Sequence, residues 1–153
     1  MRCVICLIFA CLIVACGKDK GGGGKAQSGD KQVVADALEF DEKTGLVNER
    51  GEDEPFTGKA VWHHPNGERQ QETAYQNGKE HGTEIWWHED GSRAGQSEYK
   101  SGVLDGPTVQ WYVGGKQRQF QTLFKQGKQV GREIWWYENG REKSVTNFAD
   151  GQR

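Results

Sequence analysis

The sequence predicts an all-β protein, an elongated antiparallel meander of stacked β-hairpins, preceded by a signal helix and a flexible linker. Three series of glycines predict it. Gly58, Gly82, Gly106 and Gly131 follow one another at 24, 24 and 25 residues, and Gly67, Gly91, Gly115 and Gly140 each stand nine residues later. A third series, Gly78, Gly102, Gly127 and Gly151, is preceded at three residues by Tyr75, Tyr99, Phe124 and Phe148. Self-similarity at a fixed period of this length marks an array in which each unit packs on its neighbours.

The chain opens MRCVICLIFACLIVAC, one positive charge followed by an apolar run from Val4 to Ala15. Twelve helical residues reach roughly 18 Å against a hydrocarbon core of about 30 Å. Residues 1–15 therefore read as a secretion signal rather than a membrane span. The run ends Leu12-Ile13-Val14-Ala15-Cys16, which resembles the bacterial lipobox, in which an aliphatic and a small residue precede an obligatory cysteine. The resemblance implies cleavage between Ala15 and Cys16 and lipidation of the Cys16 thiol. The rival site, Cys11, leaves too short an apolar run and strands Leu12, Ile13 and Val14 in the mature chain. An ordinary signal peptide with an incidental cysteine is the plainer alternative.

All four cysteines lie in this segment, at 3, 6, 11 and 16, so the mature chain keeps no disulfide framework and no cysteine metal site. The two or three acyl chains of a lipoprotein anchor firmly where a single one does not. The expected location is a bacterial cell membrane or outer membrane, with the domain outside the cytoplasm. Gly17, where an aspartate would favour inner-membrane retention, points to the outer membrane in a two-membrane bacterium.

Residues 16–31 continue GKDKGGGGKAQSGDK after the cysteine, with nothing to bury, and read as a tether of roughly 20 Å average reach. Residues 32–54 form a lead-in. Val34 and Leu38, with Val33 and Ala37, recur at helical spacing and Gly45 stands as a stop, so a short helix is expected, followed by a strand near Leu46 to Asn48.

Residues 55–153 hold four repeats, about 58–81, 82–105, 106–130 and 131–153. Asn66-Gly67, Asp90-Gly91, Gly114-Gly115 and Asn139-Gly140 suit the positive backbone angles of type I′ hairpin turns, and the four closing glycines end each unit in a similar way. Each repeat is thus strand, turn, strand, turn, about eight strands in all. In the first strand, the fourth position after the leading glycine holds Trp62, Trp86, Gln110 and Trp135; the fifth holds His63, Trp87, Trp111 and Trp136; the sixth holds His64, His88, Tyr112 and Tyr137. Neighbours on a strand face opposite ways, so tandem tryptophans such as Trp135 and Trp136 belong to two different columns. Burying a large aromatic contributes roughly 1.5–3 kcal/mol, and so thin a sheet has little other apolar material, so at least one column is structural.

The arrangement of leading glycine, four residues, two aromatics or histidines, a turn glycine, then an aromatic and a closing glycine resembles the MORN repeat, and more closely its bacterial variant form. Glu54-Pro55-Phe56-Thr57-Gly58-Lys59 is similar to an entry common in bacterial proteins of this family, some labelled antitoxins. The resemblance covers about residues 55–153. It implies stacked hairpins and several kinds of binding, and no reaction. Gln110 for an aromatic, Gly114 for Asn or Asp, and one extra residue between Gly115 and Gly127 depart from the pattern. The fourth unit stops at Arg153 without a following leading glycine, so the last hairpin is expected to fray or to leave an open edge.

No cofactor and no catalytic residues are expected. Serines lie in tether, turn or exposed strand contexts, and Glu89, Asp90 and Glu138 flank turns. His63 and His64 face apart, and His64 lies about 9.5 Å from His88 across two strand spacings, too far to share one zinc ion. Residues 45–153 carry 14 Lys plus Arg against 16 Asp plus Glu, without the basic surplus of a nucleic-acid binder. The repeat register allows one face to collect Lys59, Lys79, Lys128 and Arg132, but a solvated, mixed-charge face is the plainer reading. The sequence therefore predicts a membrane-anchored, non-catalytic module for protein–protein interaction or scaffolding at the bacterial envelope. Its candidate binding face is His63, Trp87, Trp111 and Trp136, with the terminal edge, Phe148 to Arg153, as a second surface. Glycan or cell-wall binding through exposed tryptophans, and an antitoxin or immunity role, are the alternatives.

Overall fold

The computed structural model describes residues 31–153. The signal helix, the Ala15–Cys16 cleavage site, the lipidation site and nearly all of the tether lie outside the described residues.

The lead-in departs from expectation. Where the apolar spacing predicts a helix, the chain forms strand β1 (Gln32–Val34), one 3-10 turn at Ala35–Ala37 and strand β2 (Leu38–Asp41). Backbone pairing overrides the periodicity: β1 runs parallel to β4, with Val34 opposite Val61, and β2 pairs antiparallel with β3 (Leu46–Glu49). The strand expected near Leu46 is present as β3, in a separate two-stranded sheet rather than in the meander. Asp41 shapes the β2–β3 turn, its carboxylate accepting from the Lys43 amide at 2.9 Å and the Thr44 hydroxyl at 2.8 Å.

The meander follows as β4 (Gly58–His63), β5 (Arg69–Gln76), β6 (Lys79–Trp87), β7 (Arg93–Lys100), the short β8 (Val103–Leu104), β9 (Gly106–Trp111), β10 (Arg118–Lys125), β11 (Lys128–Trp136) and β12 (Glu142–Phe148). The sheet order is β1-β4-β5-β6-β7-β9-β10-β11-β12, with β8 paired to β7. Every neighbouring pair from β4 onward is antiparallel.

The two turn series are different objects. At Asn77-Gly78, Ser101-Gly102, Gln126-Gly127 and Asp150-Gly151 both residues have positive φ, as a type I′ turn requires. At Asn66-Gly67, Asp90-Gly91 and Asn139-Gly140 only the glycine does, which corrects the type I′ expectation for those turns. There the glycine amide bonds back three residues, Gly67 to His64 at 2.9 Å, and His64 N–H reaches Glu68 O at 2.8 Å. This is a three-residue hairpin loop closed by a left-handed glycine. The Asn or Asp side chain accepts from the amide two residues on, as Asn66 does from Glu68 at 3.0 Å. In the third repeat Tyr112 N–H bonds to Gln117 O, one residue farther along, so the extra residue sits in the loop, where Gly114 and Gly115 both take positive φ.

Each closing glycine donates its N–H to the carbonyl two residues before its own leading glycine: Gly78 to Phe56, Gly102 to Glu80, Gly127 to Leu104, and Gly151 to Gln129, at 2.8–2.9 Å. Beside it, Thr57 and Asp105 side chains accept from the Asn77 and Gln126 amides. Buried apolar residues are few: Phe56, Ala60, Val61 and Val109 among the described residues. Most of the buried row is small and polar, running from Ala60 through Thr73 and Glu84 to Ser97, then Thr108 and Thr122. The Ser97 and Thr108 hydroxyls pair at 2.8 Å, so the row is hydrogen-bonded as burial requires.

Candidate functional site

Strand pairing sorts the tryptophans onto the two faces. On the first face one row crosses the sheet as Trp62, Gln71, Trp86, Gly95, Gln110, Phe120, Trp135 and Ser144, each opposite the next. This row packs on itself. The Trp86 ring lies over Gly95, where any side chain would collide with it, and the Phe120 and Trp135 rings meet tilted at 50° with centroids 4.5 Å apart.

On the second face the four expected residues align, and each has a charged residue opposite: His63 with Arg69, Trp87 with Arg93, Trp111 with Arg118, and Trp136 with Glu142. His63, the three arginines and Glu142 are exposed, and the tryptophans are half-buried. The register slips at each of these pairs, Trp62 facing Gln71 but His63 facing Arg69, which leaves Gln70, Ala94, Gln119 and Lys143 as the extra residues of four equivalent bulges. The slip brings each arginine onto the face of the residue three further on. Arg69 Nη1 donates to Glu72 at 2.9 Å, Arg93 to Gln96 at 3.1 Å and Arg118 to Gln121 at 3.0 Å. The Arg93 guanidinium also stands 6.0 Å from the Trp111 ring centre, at cation–π distance.

The arginines are the part of the site that sequence reasoning missed. Their signal is visible once the loops are aligned: Arg69 and Arg93 come two residues after a turn glycine, and Arg118 comes three after in the loop that is one residue longer. The basic face that the register allows does not form one row. Lys59 is spent on Glu72 at 2.7 Å, and Lys79 and Lys128 begin their strands at the type I′ turns.

The sixth-position residues tie one repeat to the next. His64 Nε2 donates to Trp87 O at 2.9 Å, His88 Nε2 to Trp111 O at 3.1 Å and Tyr112 Oη to Trp136 O at 2.8 Å. Imidazole and phenol exchange at this slot because both carry a donor at the needed reach. These bonds fix the backbone of the tryptophans of the second-face row, Trp87, Trp111 and Trp136.

The first face also holds an acidic cluster. Glu84, 6% exposed, accepts from Thr73 at 3.2 Å and from Gln71. Burial raises its pKa above the usual glutamate range, and burial, then the charge of Glu84, does the same to Glu80. The Tyr75 phenol, half-buried and facing Glu80 and Glu84, is pushed up to about 12. Tyr99 is pushed to about 12 by burial and by Glu84 and Glu80. The junction of the third and fourth repeats keeps this framework with Gln129 in place of Glu80: Gln129 donates to Thr122 at 2.8 Å and to Glu133 at 2.7 Å, and Phe124 stands in place of Tyr75. A framework that accepts an amide for an acid and a phenyl for a phenol is built for packing.

A family model, the MORN repeat variant, matches residues 80–101, which covers β6 from Glu80, the loop after it and β7 with its arginine. The match supports the MORN repeat family, whose repeats are in general protein-interaction and membrane-binding modules and typically non-catalytic. No curated protein and no solved structure matches the chain.

Proposed function

We propose that this chain is a non-catalytic binding module, lipid-anchored at Cys16 to the outer face of a bacterial envelope membrane, which holds a protein partner on the second face of its sheet. The observation that carries the reading is the row of His63, Trp87, Trp111 and Trp136 interleaved with Arg69, Arg93 and Arg118 on an outward face. Tryptophan and arginine are the residue types that dominate binding energy at protein interfaces. Here the strand ladder and the sixth-position bonds hold them in place before any partner arrives, which lowers the ordering cost of association.

A glycan reading has less support, because the Arg93 guanidinium stands against the ring of Trp111, on which a sugar would have to stack. The test is photocrosslinking from position 111 on the membrane-bound protein, read by mass spectrometry. One recurrent protein neighbour is expected, and recovery of none counts against the proposal. Cys16→Ser should abolish fatty-acid labelling and membrane retention; persistence of both would overturn the anchor.

A further inference from the structure

Resting on the proposed protein partner, we infer that the partner docks through an acidic extended segment, and that Arg93, Trp111 and Arg118 form the subsite that takes it. The inference comes from how the repeats differ. In the first repeat Arg69 is neutralised by Glu72, which Lys59 also engages. In the second and third repeats the same slot holds Gln96 and Gln121, which orient the guanidinium through an amide oxygen and leave its charge uncompensated. Among the described residues neither Arg93 nor Arg118 makes a salt bridge. In the fourth repeat the arginine position is Glu142. Arginine charge with no carboxylate partner is thus confined to the centre of the row, on a chain whose formal net charge is -2.

The chemistry of that centre is specific. Each guanidinium has five N–H donors in a planar fork, of which the glutamine takes one, leaving an edge for a carboxylate. Arg93 on β7 and Arg118 on β10 are separated by β9, two strand spacings or about 9.6 Å, with Trp111 on β9 between them. A ligand that fits places two carboxylates on either side of an apolar side chain, as an extended acidic peptide does. Glu98 is half-buried two residues beyond Gln96, beside the Thr83 hydroxyl, and restricts the acidic ligand to the loop side of the sheet.

The experiment measures fluorescence anisotropy of a dye-labelled peptide in which Glu and Leu alternate at every second position, with Ser between, so that both project from one face of the extended chain, against the anchored protein in detergent. The same peptide with Lys for Glu, polygalacturonate and phosphatidylglycerol vesicles serve as competing arms. The Glu–Leu peptide should bind, more weakly as salt is raised, and Arg93→Gln or Arg118→Gln should each weaken it about tenfold or more, the loss of a charge-assisted hydrogen bond. The sharper variant is Gln96→Glu with Gln121→Glu, which copies the Arg69–Glu72 pair into repeats two and three. Because the first repeat already folds with that pair, the melting temperature should hold while peptide binding is lost. No binding by the wild type, unchanged binding by the double variant, or arginine-dependent binding of polygalacturonate or vesicles in place of the peptide would each overturn the inference. A protein crosslinked at position 111 with no peptide affinity would sink the acidic subsite alone. Absence of both would sink the proposed function with it.

Discussion

Gly95 is where the packing of the first face can be weighed most cleanly. It lies in the middle of β7 without a positive φ, so alanine there costs no backbone strain. A Cβ would stand 2.5 Å from Trp86 Cε3, 2.9 Å from Cζ3 and 3.2 Å from Val109 O, so the indole must lift off the sheet. Overpacking of this kind costs about 1–3 kcal/mol, offset by about 0.5–1 kcal/mol because alanine loses less chain entropy than glycine. The net is a destabilisation of about 1–2 kcal/mol, or about 4–8 °C in melting temperature for a domain of this size. Thermal and urea unfolding followed by tryptophan fluorescence measure it. In a Trp86→Ala background the collision is gone, and Gly95→Ala should turn neutral or stabilising. If the substitution has the same sign and size in both backgrounds, the indole does not rest on Gly95 and the account of this row is wrong.

Glu84 and Glu80 bind protons more tightly in the fold than in the unfolded chain, because burial raises both. The stability they contribute is full below the unfolded glutamate value of 4.5 and lost as pH rises through their folded values, so the melting temperature should climb as pH is lowered from neutral towards about 5. Glu84→Gln should flatten that climb and raise stability at neutral pH, and an unchanged pH slope in differential scanning calorimetry would refute it. Tyr112→Phe removes the bond to Trp136 O and should cost about 1 kcal/mol in urea unfolding. Tyr137, 49% exposed in the equivalent slot, makes no such bond among the described residues, so Tyr137→Phe should change stability by less than about 0.5 kcal/mol. Equal effects would show that the sixth-position bond contributes nothing.

What could be read in advance followed the chain's local chemistry. The glycine periods place the eight longer strands of the meander but not the two-residue β8, because a turn needing positive φ is announced by the few residues that tolerate it. The division of tandem tryptophans between two faces follows from strand alternation alone. The lead-in is ambiguous in sequence because Val33, Val34 and Leu38 satisfy helical spacing as well as strand pairing, and only the distant partners at Lys59–Val61 and Leu46–Glu49 decide between them. Turn type at Asn66-Gly67 is equally ambiguous because the same dipeptide serves a two-residue and a three-residue loop. The arginine row stayed hidden for a physical reason. Arg93 and Gln96 are three apart and belong on opposite faces of a regular strand, until the bulge at Ala94 turns them to one side.

The sixth-position bonds all point the same way along the chain, from the side chain of one repeat to the main chain of the next. The array therefore has a polarity that its symmetric look conceals. Each repeat is clamped by the one before it, and the β12 margin clamps nothing further among the described residues, while the opposite margin is sealed by the parallel strand β1. Opening fluctuations should then begin at β12 and travel inward one repeat at a time, so amide exchange should quicken from Thr73 towards Thr146 as a staircase with a step at each hairpin.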